Sequence, residues 1–283
     1  MVQDAIKKAD VLIEALPYIK KFHKKVTVIK YGGSILGEER VRKSVLEDIA
    51  FLRYTGIRPI LVHGGGPNIT ERLRKNKIPT KFQDGIRVTD DATLKIVEEE
   101  LNKLNDMIVD EIRAHGVKAV GFKREHHIFQ GVKKQSKKDL GHVGEVIGFD
   151  QERISAVLPD SIPVICPMAV SEYGDIFNVN ADEAAAFLAS GLGTEKLVFL
   201  TNVLGVLANP ANPDSFLSHL SVEKAEELFA KKVIAEGMVP KVKGAIFGIK
   251  GGVNKAHIID AKIPHAILLE IFTNKGIGTE IVH

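Results

Sequence analysis

Val28-Ile-Lys-Tyr-Gly-Gly-Ser34 decides how this chain is read, and Val62-His-Gly-Gly-Gly-Pro67 repeats its logic further on. In each, an apolar run empties into glycines just before an amphipathic segment, which predicts a strand, a glycine-rich turn and a helix N-terminus. Such a junction is a backbone anion site. Glycines let N–H groups approach a phosphate or carboxylate closely, and the following helix adds its positive end. Two such turns in one chain, the first carrying Lys30, predict a single site that holds two anionic reactants.

Working outward, strand patterns over 26–29 and 58–62 alternate with helix patterns over 39–54 and 69–75. This βαβ order implies a parallel sheet with right-handed crossovers. From Asp91 the apolar positions Leu94, Val97, Leu101, Leu104, Ile108 and Ile112 step by three or four until Gly116 closes a long helix. Residues 117–149 change texture to short β-prone pieces with a lysine run at Lys133, Lys134, Lys137 and Lys138, expected as surface hairpins. His126-His127 belongs to that hairpin region, with no accompanying ligand pattern for a metal. The α/β alternation resumes with strands over 164–166, 197–200 and 266–270 and helices over 182–190 and 222–232. Cys166 falls in an apolar run as a small core residue.

Ahead of the first strand, Ile6, Ala9, Ile13 and Leu16 share one helical stripe. Pro17 interrupts it, and Tyr18, Ile19 and Phe22 continue an apolar face. That face is covered either by the same subunit or by another one. The organisation expected is residues 1–24 as an N-terminal helix for oligomerisation or regulation, 25–178 as an acceptor lobe, and 179–283 as a nucleotide lobe with a C-terminal regulatory segment.

Composition narrows the function. The 283 residues are 45% apolar and 27% charged, with a formal charge of +3 and one cysteine. This describes a globular chain large enough for a sizeable core, without a disulfide or a multi-cysteine zinc site, and with basic residues too dispersed to favour nucleic acid. No apolar run reaches the roughly 18 residues of a membrane span. A cytoplasmic location and small anionic substrates are the expectations.

Gly32 to Gly37 nearly forms a P-loop, but Glu38 occupies the lysine position, and the dinucleotide pattern is missing at both turns. Instead Lys30 precedes its glycines. Asn178-Val-Asn180-Ala-Asp182 leads into an apolar helix, and Asp182 could simply be that helix's N-cap. Lys241 follows Pro240 at an element start. Two lysines, two glycine turns and a carboxylate together favour phosphoryl transfer, a reaction that needs positioning and charge neutralisation more than covalent chemistry.

Lys30-Tyr-Gly32-Gly33, His63-Gly-Gly-Gly-Pro67, Gly85-Ile-Arg87-Val-Thr89, Asn178-Val-Asn-Ala-Asp182, Leu200-Thr-Asn-Val-Leu-Gly-Val206 and Gly237-Met-Val-Pro-Lys241 resemble, in order, the motifs of the acetylglutamate kinases. The likeness runs from about residue 25 to the C-terminus. The first motif is shared with the wider amino-acid kinase family; Gly-Ile-Arg-Val-Thr together with Asn-x-Asn-Ala-Asp is more selective. The resemblance implies a three-layer αβα sandwich around an open, mostly parallel sheet, preceded by the extra helix. It implies that Gly65, Gly66, Arg87 and Asn178 bind N-acetyl-L-glutamate, and that Gly32, Gly33, Thr201 and Asn202 face MgATP. Lys30 and Lys241 would flank the transferring phosphoryl group, with Asp182 holding both. Mg²⁺ would ride on ATP without a protein cage. Asn202 and Glu236 depart from the residues many relatives carry there, Asp and Gly.

Relatives inhibited by arginine carry a similar N-terminal helix, which joins three dimers into a hexamer. The resemblance implies an L-arginine site at His257, Glu270, Gly276 and Tyr18. Binding of a nitrogen-signalling protein, known for some relatives, is left open by these residues. Another carboxylate acceptor, or a catalytically silent arginine sensor, are the rival readings.

Overall fold

The computed structural model describes residues 2–234, 236–273 and 276–283; the side chains of Asp4, Ala5, Lys7, Lys8, Ser34 and Glu236 lie outside the description, the last being one of the two departures noted above. In chain order the helices are α1 (Val2–Phe22), α2 (Gly33–Leu36), α3 (Glu39–Tyr54), α4 (Gly66–Lys75), α5 (Asp91–Ala114), α6 (Gln151–Val157), α7 (Ala181–Gly191), α8 (Val222–Ala230), α9 (Val239–Lys250) and α10 (Ala266–Phe272). The strands are β1 (Val26–Tyr31), β2 (Arg58–His63), β3 (Phe82–Gln83), β4 (Ile86–Arg87), β5 (Ala119–Phe122), β6 (Phe129–Lys133), β7 (Val143–Phe149), β8 (Ile162–Ile165), β9 (Met168–Val170), β10 (Ile176–Val179), β11 (Lys196–Thr201), β12 (Val206–Leu207), β13 (Phe216–Leu217), β14 (His219–Ser221), β15 (Lys255–Asp260) and β16 (Thr279–Val282).

Eight strands form one sheet in the order β14-β16-β15-β11-β1-β2-β8-β5. From β15 to β5 every pairing is parallel, and β16 enters antiparallel to β15. Strand residues alternate between two cores. Val28, Ile60, Val62 and Phe199 face one layer, with α7, α8 and α9 packed on it. Ile29, Leu61, Val198 and Leu200 face the other, under α3, α5 and α10. A sheet covered on both faces explains why β11 is buried at all six positions and why its sequence is a continuous apolar run between Lys196 and Thr201. The arrangement is the three-layer α/β sandwich.

The long helix α5 starts where Asp90 accepts the Thr93 N–H at 2.8 Å and buries Val97, Leu101, Leu104, Ile108 and Ile112 on one face. One sequence expectation fails near the C-terminal end of the chain. Residues 266–270, expected as a strand, lie in helix α10: Ala266, Ile267, Glu270 and Ile271 are buried at helical spacing, whereas Leu269 is 37% exposed. A short, nearly all-apolar run carries no period to separate the two. Helix α1 runs through Pro17, giving up one backbone hydrogen bond there, and Phe22 in its last turn is anchored in the core.

The stripe ahead of Pro17 is not covered by its own chain: Ile6 is 49%, Ile13 67% and Leu16 40% exposed. In residues 117–149 only β6 and β7 form a hairpin, within a small closed barrel with β9 and β10; β5 is instead the edge strand of the main sheet. His126 ends a 3₁₀ turn there, its Nδ1 accepting the Lys123 N–H. No helix among the described residues is long and apolar enough to cross a membrane.

Candidate active site

Strands β1, β2 and β11 lie side by side, and their carboxyl ends release the first glycine turn, the triple-glycine turn and Thr201-Asn202 on one edge of the sheet. That edge is where open parallel sheets build ligand sites. The two turns touch. A Cβ at Gly33 would stand 2.8 Å from the Gly66 nitrogen and 2.9 Å from the Gly65 nitrogen, so only glycine lets those N–H groups face the space beside Gly33. A Cβ at Gly32 would stand 2.9 Å from the Leu200 carbonyl oxygen.

Two cavities open from this junction and share Lys30 and Gly33. The first is walled by Gly65, Gly66, Arg87, Asn178, Asp182 and Lys134. The second is walled by Gly32, Thr201, Asn202, Gly205, Gly237 and Lys241. Between them lies Asp182, 5% exposed, with Lys30 Nζ 2.9 Å from one carboxylate oxygen and Lys241 Nζ 3.3 Å from the other. Asp182 is not the cap of α7. Asn180 takes that part, accepting the Asp182 and Glu183 N–H groups at 2.7 and 3.3 Å, which leaves the Asp182 carboxylate to the lysines. Burial pushes the Asp182 carboxyl up, but the two ammonium groups outweigh it and hold it below the usual carboxylate range. Burial pulls Lys241 down, and Asp182 only partly restores it. Two cations around one anion leave the junction a net positive charge.

Arg87 is 8% exposed in the first cavity. Its Nη2 donates to the Gly66 carbonyl at 3.0 Å and the Thr70 hydroxyl at 2.8 Å, and its guanidinium lies 4.8 Å from the Phe82 ring centroid. Among the described residues its buried Nη1 has no partner, an expensive state for a charged donor. Asn178, on the wall of the same cavity, donates to the buried Thr89 hydroxyl at 3.1 Å.

Sequence reasoning missed Lys134. Expected on a surface hairpin with its lysine neighbours, it instead bridges Glu145 at 3.0 Å and Glu183 at 3.2 Å on the cavity wall. Its place in a lysine run hid it. Among the described residues no group of three His, Cys, Asp or Glu side chains could hold a metal ion.

A third cavity brings Tyr18 of α1 together with His257, Glu270 and Gly276. Glu270 is buried; burial pushes its carboxyl up, but His257 Nδ1 at 2.6 Å and the N–H groups of Ile277 and Gly278 at 2.8 and 3.1 Å bring it down to about 2. Lys196, a strand-opening lysine without a sequence signal of its own, lies 3.0 Å from His257 Nε2.

A parallel αβα sheet whose carboxyl edge gathers two lysines, a bridging carboxylate and converging glycine N–H groups is the scaffold of a phosphotransferase. The amino acid kinase family pattern matches residues 25–260. An acetylglutamate kinase of Petrotoga mobilis is 45% identical over 281 residues, covering 98% of this chain and 94% of its own. One of Aquifex aeolicus is 43% identical over 298 residues, covering 99% of both. Among solved structures, N-acetylglutamate synthase of Neisseria gonorrhoeae complexed with coenzyme A and N-acetyl-glutamate gives a TM-score of 0.88 at 24% identity, over 97% of this chain. The same synthase with coenzyme A and L-arginine gives 0.84. This chain spans 63% of the first synthase chain and 65% of the second, and the likeness is one of fold. The chain belongs to the amino acid kinase family, and is an ATP-dependent kinase.

Proposed function

We propose that this kinase transfers the γ-phosphate of ATP to the γ-carboxylate of N-acetyl-L-glutamate, giving N-acetyl-L-glutamyl 5-phosphate, and that L-arginine inhibits it. The carrying observation is the junction of two cavities at Lys30 and Gly33, with Asp182 paired to both lysines. The acceptor carboxylate, with an ordinary pKa of about 4.3, is ionised at neutral pH, so no general base is required. The barrier is repulsion between two anions. Lys30 and Lys241 offset it from either side of the transferring group, and the N–H groups at Gly65 and Gly66 receive charge on the acceptor side.

Arg87 suits the acceptor's α-carboxylate: Gly66 and Thr70 take both hydrogens of Nη2 and fix the guanidinium, which leaves Nη1, unpartnered among the described residues, to donate to that carboxylate. Asn178 is assigned to the acceptor as well. Gly32, Thr201 and Asn202 are assigned to the nucleotide. Mg²⁺ would neutralise charge on the ATP phosphates, since both oxygens of Asp182 are engaged by lysines and no carboxylate cage stands among the described residues.

The arginine proposal draws on the third cavity, where the ionised Glu270 suits a guanidinium and Tyr18 brings in α1. The uncovered stripe of Ile6, Ile13 and Leu16 suits burial against a second subunit, in line with a hexamer built as a trimer of dimers. The test is hydroxamate trapping of the acyl phosphate with MgATP and N-acetyl-L-glutamate, beside free glutamate and beside added arginine. Turnover restricted to the acetylated acceptor and suppressed by arginine is the expected result. Equal turnover of glutamate would overturn the acceptor assignment, and an arginine-insensitive rate would overturn the inhibitor.

A further inference from the structure

Beneath the triple-glycine turn lies a buried polar network that the transfer chemistry itself does not consume. His63, the last residue of β2, and Asn105, midway along α5, are both 0% exposed. Asn105 Nδ2 lies 2.9 Å from the Val164 carbonyl oxygen and 3.2 Å from His63 Nε2. Cys166 Sγ lies 3.4 Å from the same ring nitrogen. Across the ring, Nδ1 lies 3.1 Å from the Gly64 carbonyl oxygen.

These contacts fix the hydrogens of the amide and the ring. A backbone carbonyl only accepts, so the Asn105 atom facing Val164 is the amide nitrogen, which only donates. That nitrogen also faces His63 Nε2, which therefore carries no proton. Burial pulls the imidazole down to about 4, so the ring is neutral at pH 7 and its single proton sits on Nδ1, donated to Gly64. Room for the Asn105 carboxamide oxygen comes from Gly121 on β5, where any Cβ would collide with it.

The Gly64 C=O and the Gly65 N–H belong to one planar trans peptide, so they point in opposite directions. Holding the carbonyl against His63 turns the Gly65 N–H away from the ring, on the side where the Gly65 and Gly66 nitrogens approach Gly33. We propose that His63, clamped by Asn105, is a positioning residue for phosphoryl transfer: its Nδ1–H fixes the Gly64–Gly65 peptide plane and thereby aims the Gly65 N–H at charge developing between the two reactants. The proposal rests on the phosphoryl-transfer reading given above.

The experiment compares His63→Leu, which removes the donor, with His63→Asn, whose amide nitrogen can stand where Nδ1 stood. His63→Leu should lose on the order of 100-fold in kcat with KM for ATP unchanged, the cost of one misaimed preorganised donor, and His63→Asn should regain about tenfold of it. Wild-type rate in His63→Leu, or His63→Asn as slow as His63→Leu, overturns the proposal. Should His63→Leu not fold, ¹⁵N NMR of the wild-type ring decides at pH 7, assigned by difference from His63→Asn: a proton on Nδ1 alone supports the proposal, and a proton on Nε2 overturns it. The ring spectrum needs no acceptor, so a wild type inert towards N-acetyl-L-glutamate would strike the proposed function separately.

Discussion

Asp182→Asn keeps the shape of the side chain and removes its charge, so it isolates what the carboxylate does between two lysines. At separations of 2.9 and 3.3 Å the attraction is roughly 5–6 kcal/mol per pair at an effective dielectric of about 20, before desolvation is subtracted. The net cost of breaking a buried pair by removing one partner is about 3–5 kcal/mol. The asparagine worsens matters, since its amide N–H groups would face one ammonium while its oxygen served the other. For a chain of this size that cost lowers Tm by on the order of 10 °C. MgATP should return part of it, because phosphate supplies the missing negative charge and ligand binding stabilises the folded state. Catalysis suffers separately: with the lysines no longer held on the transfer line, kcat should fall by about 10²–10³-fold. Lys241 is already pulled down by burial and held up by Asp182, so in the variant it loses its proton at lower pH, and the alkaline limb of the kcat profile moves to lower pH. Calorimetry with and without MgATP, and kcat across pH, measure these effects. A variant with lowered Tm but wild-type kcat would refute the site role, and one unchanged in both would refute the buried pairing itself.

Arg87→Ala should raise KM for the acceptor by on the order of 100-fold, the worth of one strong charged hydrogen bond, with KM for ATP unchanged in steady-state kinetics. Lys196 is pulled down to about 8, burial being the main cause, so it sheds its positive charge as pH rises from 7 to 9. A cationic inhibitor in that cavity then binds more tightly, and the arginine concentration for half inhibition should fall by up to about tenfold, a slope that Lys196→Gln flattens. Deleting residues 2–16 removes the uncovered stripe yet spares the anchored Phe22; light scattering should show a smaller oligomer that retains turnover and loses its arginine response.

The two glycine turns were legible because their chemistry is local: a strand, a bend and a helix start are each encoded within a few residues, and parallel βαβ order follows from them. Asp182 could be read as either a cap or an organiser, and the ambiguity ended only with Asn180 taking the cap. What stayed hidden depends on contacts between distant parts of the chain. Lys134 reads as one more solvated lysine until β6 is seen to bring it to Glu183. Asn105 reads as a polar interruption on a helix whose buried face it shares with Leu101 and Leu104, and its use becomes visible only when β2 and β8 place His63 and Val164 against it. Residues 266–270 misled because a run such as Ala-Ile-Leu-Leu-Glu fits a buried strand and a buried helix equally well.

The central claim is that an acceptor carboxylate oxygen attacks phosphorus at the junction of the two cavities. It is tested most directly with N-acetyl-L-glutamate labelled with ¹⁸O in its γ-carboxylate, MgATP and hydroxylamine. Hydroxylamine attacks the acyl carbon and releases phosphate with the bridging oxygen attached, so mass spectrometry should find one ¹⁸O in the phosphate formed with each hydroxamate. Phosphate released without label would contradict the account.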